Sequence, residues 1–390
     1  MILLRNADVY APEPLGVRQL LIAGERIVWL GKDLPPLPGA LGVAEYDVGR
    51  RRLIPGFIDG HVHLTGGGGE AGLHTRVPAL ALSELTRAGV TTAVGVLGTD
   101  DATRTTAELV ATARGLTGLG ITAFCHTGGY HVPPVTLTGT VRGDIALIDV
   151  ILGVGEIAVS DHRSSQPTVD ELLRLASEAH VGGLMSGKAG ILHLHLGDGP
   201  RGLEPVREAL DRSELPPRVM NPTHVNRRRA LFDEALELAV RGATIDITAF
   251  PVEEGGDAWD AAEALSRYWR AGLPSERVTV SSDGGGCLPA FDAEGRVASF
   301  DVGRPGALAA TLGRLLAGGH RLERALLPFT ANPAALLRLE RKGRIAQGMD
   351  ADLLVLNADG GIEEVMARGR WHVQGGAPVV AGPFERAGVL

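Results

Sequence analysis

Eight apolar runs of β character alternate with amphipathic helical patterns through the middle of this chain, and that alternation limits the fold more than any other feature. The runs cover residues 53–64, 90–97, 121–130, 157–160, 191–196, 219–225, 244–250 and 278–282. Most are apolar on both faces, so both faces of the sheet they form must be covered. Helical patterns at 79–87, 106–116, 169–179, 203–210, 230–241, 258–269 and 307–316 supply the cover and the crossovers that parallel strands require. Several open with a capping residue, as Thr168 does before Val169-Asp170-Glu171, and several close on glycine, as at Gly89, Gly242 and Gly272. Eight such units predict closure into a (β/α)8 TIM barrel in the α/β class, with a doubly wound open sheet as the competing architecture. Short strand patterns separated by turns mark both ends of the chain. They predict a small β domain built from residues 1–54 with 343–390, leaving 55–342 for the barrel.

In a TIM barrel the active site lies at the C-terminal ends of the strands. Polar residues fall where the apolar runs stop: His61 and His63 after the first, Tyr130 after the third, Asp161-His162-Arg163 after the fourth, His195 after the fifth, His224 after the sixth and Asp283 after the eighth. His61 and His63 are two apart and project from one face of a strand. Any one of these histidines read alone fits a buried, hydrogen-bonded core residue. As a set, four imidazoles and a carboxylate on one rim match the donors that bind Zn²⁺ at about 2.0–2.2 Å. They exceed the needs of one tetrahedral ion, which points to two metals sharing a bridging water of lowered pKa. Asp283 would then take a proton from that water and deliver it to a leaving amine. His126, His131, His162 and His193 read as supporting or core groups. The loop Gly66-Gly67-Gly68-Gly69-Glu70, nearly stripped of side chains, lets backbone N–H groups and one carboxylate approach a bound molecule.

A net charge of −8 argues against nucleic acid as the partner, because phosphate binding needs a basic face. No run is long and apolar enough to span a bilayer and the N-terminus lacks a signal-peptide pattern, so a cytoplasmic location without membrane attachment is expected. Two cysteines, Cys125 and Cys287, make no disulfide framework. Lysine is confined to Lys32, Lys188 and Lys342.

Phe57-Ile58-Asp59-Gly60-His61-Val62-His63, the histidines of the fifth and sixth strands, the late Ser282-Asp283-Gly284 and Gly348-Met349-Asp350-Ala351-Asp352-Leu353 resemble the amidohydrolase superfamily. The glycine loop with Glu70, Leu97-Gly98-Thr99-Asp100, Gly129-Tyr130-His131-Val132-Pro133, Ser160-Asp161-His162-Arg163 and Pro222-Thr223-His224-Val225-Asn226-Arg227 resemble bacterial isoaspartyl dipeptidases, over essentially the whole chain. That resemblance implies two Zn²⁺ held by His61, His63, His195, His224 and Asp283, with a metal-bridging hydroxide as nucleophile and Asp283 as proton shuttle. It implies substrate contacts from Gly68, Gly69, Glu70, Thr99, Tyr130, Arg163 and Arg227, and a homo-oligomer, with an octamer as one size to test. The implied substrate, a β-aspartyl dipeptide, carries an ammonium for Glu70 and carboxylates for the forked guanidinium groups of Arg163 and Arg227. Tyr130 would donate to the carbonyl oxygen as it gains charge.

The chain departs from the family pattern at two places. Cys287 stands where the family has a serine, exchanging a good donor for a weak one at the substrate. The family's bridging group is a carbamylated lysine on the fourth strand, and that strand has none here; aligning on Ser160-Asp161-His162-Arg163 puts Glu156 at its place. Asp161 is the competing bridge, and Lys188 precedes the fifth strand, at the wrong end of the barrel. Glu156 is shorter by about three atoms, so the backbone must move inward, which Gly153 and Gly155 permit. Competing functions are an N-acyl-amino-acid deacylase or cyclic-amide hydrolase, whose substrates lack the ammonium that Glu70 would bind, and a non-catalytic barrel scaffold.

Overall fold

The computed structural model describes residues 1–34, 36–252, 255–291 and 296–385. Eight parallel strands, here counted one to eight around the barrel, are Phe57–Val62, Val90–Gly95, Thr122–Thr127, Ile151–Val159, Ile191–Leu196, Met220–Thr223, Ile245–Thr248 and Val278–Ser281. Strands one to six form one continuous hydrogen-bonded sheet and strands seven and eight a second. A parallel bridge between Val62 and Gly284 joins strand eight to strand one. Between strands six and seven the join is made by side chains. Pro222 contributes no N–H to a ladder; Asn221 Nδ2 donates to the Thr244 carbonyl at 2.8 Å and Thr223 Oγ1 to Asp246 at 2.7 Å.

The helices cover the outside of the barrel as their apolar spacing requires. Val169–Ser186 opens on a Thr168–Glu171 capping box and buries Leu172, Leu175, Ala176, Ala179, Gly182 and Gly183 at three- and four-residue intervals. Gly183 packs so closely that a Cβ there would lie 2.6 Å from the Cα of Gly190, which fixes this helix against the loop leading into strand five.

Several boundaries differ from the sequence pattern. The run 53–64 is two strands in different sheets: Arg52–Pro55 pairs with Ile2–Tyr10 and Leu353–Leu356, and Phe57–Val62 belongs to the barrel. Gly56 allows the change, because a Cβ there would lie 2.2 Å from Thr91 Oγ1. Strand three stops at Thr127, so Tyr130 is held by a loop through Tyr130 N–H to the Gly98 carbonyl and Ala158 N–H to the Tyr130 carbonyl. Strand four begins at Ile151, and the helix expected at 79–87 begins at Leu82. The helix Val141–Leu147 and the hairpin Cys287–Phe291 with Val297–Val302 have no counterpart in the sequence reading. Segments from both ends of the chain form one nine-stranded mixed sheet with its own apolar core around Leu4, Leu20, Ile22, Leu53, Leu353 and Met366. Residues 386–390 of the expected C-terminal portion lie outside the described residues.

Candidate active site

Strand one ends with His61 and His63 directed at the same carboxylate: their Nε2 atoms stand 3.4 and 3.0 Å from Asp283 Oδ1. Asp283 itself sits past strand eight with φ 53°, a left-handed conformation rare for a non-glycine residue. Glu156 reaches the centre from strand four. Its Oε1 lies 3.4 Å from His63 Nε2, and its Oε2 lies 3.5, 3.1 and 3.5 Å from His61 Nε2, His195 Nδ1 and His224 Nε2. The register between strands four and five explains this reach. Leu192 pairs with Val154 but Leu194 with Ile157, so strand four carries one extra residue, a bulge at Gly155-Glu156. A Cβ on Gly155 would lie 2.4 Å from the His193 carbonyl oxygen, so only glycine lets the strands close around the bulge.

Three overlapping groups have the spacing of metal ligands: His61, His63 and Glu156; His61, His224 and Asp283; Glu156, His195 and His224. All five non-Glu members and Glu156 are buried, and His61 Nε2 and Asp283 Oδ1 are buried without a hydrogen-bond partner. Orphaned polar atoms of this kind are costly unless a ligand satisfies them. Electrostatics agree. Burial alone would lower the His61 pKa, but Glu156 and Asp283 overcome it and raise it to about 9. Burial pushes the Glu156 carboxyl upward, and His61, His195 and His224 outweigh that, holding it well below the carboxylate range. Asp283 is held low in the same way by His61 and His63. The cavity therefore carries negative charge that a cation at these atoms would offset, and the donors fit divalent metal.

In His195 and His224 the second ring nitrogen is engaged outside the centre. His195 Nε2 lies 3.0 Å from Asp161 Oδ2, leaving Nδ1 for the centre, and His224 Nδ1 lies 2.8 Å from Thr248 Oγ1, leaving Nε2. Asp161 also binds Arg163 as a fork, at 3.0 Å to Nε and 2.7 Å to Nη2. Both Asp161 oxygens are engaged there, and Asp161 belongs to none of the three groups with ligand spacing. Lys188 is at the far end of the barrel, its Nζ donating to the carbonyls of Ile148 and Ile151 at 2.5 and 3.0 Å.

A cavity of about 260 Å³ opens over the cluster, lined by Gly68, Glu70, Thr99, Tyr130, Arg163, Arg227 and Cys287 with all the metal-spaced residues except His61. Gly69 is adjacent in the glycine loop, where φ values of 78° at Gly68 and 109° at Gly69 keep the backbone bare. Glu70 Oε1 accepts from Thr99 Oγ1 at 3.1 Å and Arg163 Nη1 at 3.3 Å, and its Oε2 is buried without a partner. Arg227 donates to the Leu196 carbonyl at 2.7 Å and pairs with Asp198 at 3.0 Å. Tyr130 Oη is 2.8 Å from His195 Nδ1, and burial next to Glu156 raises its pKa well above 10, so it stays a donor. Burial and the Glu70 charge push the Cys287 thiol up to about 12, so it stays protonated.

Of the other histidines, His131 pairs with Asp101 at 2.6 Å, His162 is exposed near Asp161, and His126 stacks on His193. His193 bonds His61 directly, at 2.8 Å. The apolar cavity wall of Phe250, Pro251, Leu288, Pro289 and Ala290 went unread in the sequence. Phe250 follows strand seven, so the strand-end rule could have found it; the hairpin carrying Leu288 offered no such signal.

Comparison with known proteins agrees with this geometry. The family model described as "Amidohydrolase family" matches residues 52–372. A crystal structure of beta-aspartyl dipeptidase from Fervidobacterium islandicum AW-1 in complex with beta-Asp-Leu dipeptide is similar at 42% identity, with a TM-score of 0.91 over 97% of each chain. A second structure of that enzyme gives 40% identity and a TM-score of 0.87 over 97% of this chain and 98% of its own. An imidazolonepropionase from Ruegeria pomeroyi is 35% identical over 109 residues, and the match spans only 26% of either protein. A D-hydantoinase at 19% identity and a TM-score of 0.66, over 97% of this chain and 96% of its own, shares the fold. Among the described residues no helix is long and apolar enough to cross a membrane.

Proposed function

Because the chain belongs to the amidohydrolase family, we propose that it is a metal-dependent hydrolase that cleaves the isopeptide bond of β-aspartyl dipeptides. One observation carries the reading: Glu70 and Arg163 lie 3.3 Å apart, opposite in charge, beside the His, Glu and Asp cluster. The aspartyl end of such a dipeptide presents an α-ammonium and an α-carboxylate on one carbon, and a fixed anion next to a fixed cation is the complement of that pair. The similarity to an enzyme crystallised with beta-Asp-Leu supports the same choice.

Two divalent ions, zinc by the donor set, would be held by His61, His63, His195, His224 and Asp283, with Glu156 in the place of a bridging group. Ions bound there supply Lewis acidity and lower the pKa of water. Glu70 Oε2 receives the substrate ammonium, and Arg163 Nη1, kept in place by the Asp161 fork, meets the α-carboxylate. Arg227, anchored by the Leu196 carbonyl and Asp198, meets the carboxylate of the leaving residue. The Tyr130 hydroxyl donates to the scissile carbonyl oxygen as charge grows on it. Asp283, held as a carboxylate, accepts a proton from the attacking water at one oxygen and returns it to the leaving amine. The reading includes a homo-oligomer, supported by the sequence resemblance alone, a cytoplasmic location, supported by the sequence pattern alone, and a domain division near residues 54 and 343.

Zinc-loaded enzyme should be offered β-Asp-Leu, α-Asp-Leu, N-acetyl-leucine and hydantoin in parallel. Release of free aspartate from β-Asp-Leu, with little turnover of the other three, is the expected result. Faster release of leucine from N-acetyl-leucine would replace the dipeptidase reading with the deacylase, and hydantoin opening with the cyclic-amide hydrolase.

A further inference from the structure

A chain of hydrogen bonds runs through the barrel interior beneath the metal-spaced residues, from strand one across strands five and six to the start of strand seven. His61 Nδ1 lies 2.8 Å from His193 Nε2, His193 Nδ1 lies 2.7 Å from Asn221 Oδ1, and Asn221 Nδ2 donates to the Thr244 carbonyl at 2.8 Å. We propose that His193 and Asn221 are positioning residues that lock His61 in the tautomer protonated at Nδ1, so that its Nε2 lone pair faces a cation.

The direction of the chain follows from its last member. A backbone carbonyl only accepts, so the Asn221 amide must turn its NH2 group toward Thr244 and its oxygen toward His193. That oxygen in turn requires the proton of His193 to be on Nδ1, which makes His193 Nε2 an acceptor. His61 must then donate from Nδ1, and when the ring is neutral its lone pair falls on Nε2. This is the buried atom without a partner, 3.4 Å from Asp283 and 3.5 Å from Glu156. Reversing any one bond would set two acceptors or two donors face to face in a site where His61, His193 and Asn221 are all at most 2% exposed. A ligating histidine commonly gives its second N–H to a carboxylate or a carbonyl. In this chain the accepting group is a second imidazole, whose own orientation is set two bonds away by main chain. His126 stacks on the His193 ring at 5.2 Å between centroids and limits its rotation.

The inference rests on the metal-dependent reading, and zinc affinity tests both separately. Metal-stripped protein is titrated with zinc against a chromophoric chelator, below the melting temperature of every variant used. His193→Leu and Asn221→Ala should each weaken binding at one site about 10- to 100-fold, the usual consequence of losing such a partner. His193→Gln, whose amide oxygen can accept from His61 while its NH2 donates to Asn221, should stay close to wild-type. A purely structural role would lower the melting temperature of the metal-free variants and leave the zinc affinity of the folded protein unchanged. Wild-type affinity in His193→Leu and Asn221→Ala, or equal losses in the Gln and Leu variants, overturns the proposal. If His61→Asn also keeps full affinity, the metal reading fails with it. Should the variants not fold, zinc-loaded wild-type protein labelled with ¹⁵N-histidine decides: a proton on His61 Nδ1 supports the tautomer lock, and a proton on Nε2 refutes it.

Discussion

Replacing Glu70 with glutamine isolates the one interaction that separates a dipeptide carrying a free amino group from an N-acylated substrate. The substitution keeps shape. A glutamine oxygen can still accept from Thr99 and Arg163, which now bond Glu70 Oε1 at 3.1 and 3.3 Å. Arg163 stays in place regardless, because Asp161 holds its Nε and Nη2. What changes is the second position, where an unpartnered carboxylate oxygen becomes an NH2 group facing the substrate ammonium. Loss of one hydrogen bond to a charged group amounts to about 1.5–3 kcal/mol, or roughly 10- to 150-fold in kcat/KM. The assay is aspartate release from β-Asp-Leu by both proteins, with N-acetyl-β-Asp-Leu as control and zinc content measured on each sample. The loss should appear only with the free amino group, and zinc content should not move. Wild-type kcat/KM should also fall as the substrate ammonium deprotonates, at a pH of about 8, and the variant should show a shallower fall. An unchanged kcat/KM for β-Asp-Leu, or an equal loss on the acetylated control, would refute the assignment of Glu70 to the ammonium.

Arg227→Lys should lower kcat/KM by roughly 1–3 kcal/mol, because lysine cannot keep the Leu196 and Asp198 contacts while offering a fork to a carboxylate; unchanged kinetics would remove Arg227 from the substrate. Glu156→Ala should lose zinc while Lys188→Ala retains it, and metal-stripped wild-type enzyme should recover full activity with zinc in bicarbonate-free buffer, since a carboxylate bridge needs no CO₂; dependence on bicarbonate would sink the Glu156 bridge. His61 in the metal-free protein has its pKa raised to about 9, so its stabilising contribution is complete below its unfolded value near 6.5 and is lost as pH rises through about 9. The urea midpoint of metal-free protein should therefore fall between pH 7 and pH 10, and that of His61→Asn should fall less. Leu172→Ala, at a fully covered position of the helix Val169–Ser186, should destabilise by about 2–5 kcal/mol in urea unfolding without changing zinc content.

The sequence by itself determined the barrel and the rim. Apolar runs alternating with amphipathic helices leave few ways to cover both faces of a parallel sheet, and in a barrel the end of each strand must open on the same face. His61, His63, His195, His224 and Asp283 were therefore legible as one group from their positions after apolar runs, without any contact being known. Local pattern could not divide the run 53–64 between two sheets, because hydrophobicity is the same on both sides of Gly56 and the division appears only in the strand pairing. Tertiary structure alone decided how Glu156 reaches the centre. Gly153 and Gly155 made a bulge legible as a possibility in the sequence, but its place at Gly155-Glu156 is a register relation with strand five that only the pairing fixes. The same holds for the direction of the His61, His193 and Asn221 chain. A histidine two residues before His195 reads as core in the sequence, and it acquires an orientation only when a carbonyl from strand seven closes the far end of the network, because hydrogen-bond polarity is fixed by the one partner that can only accept.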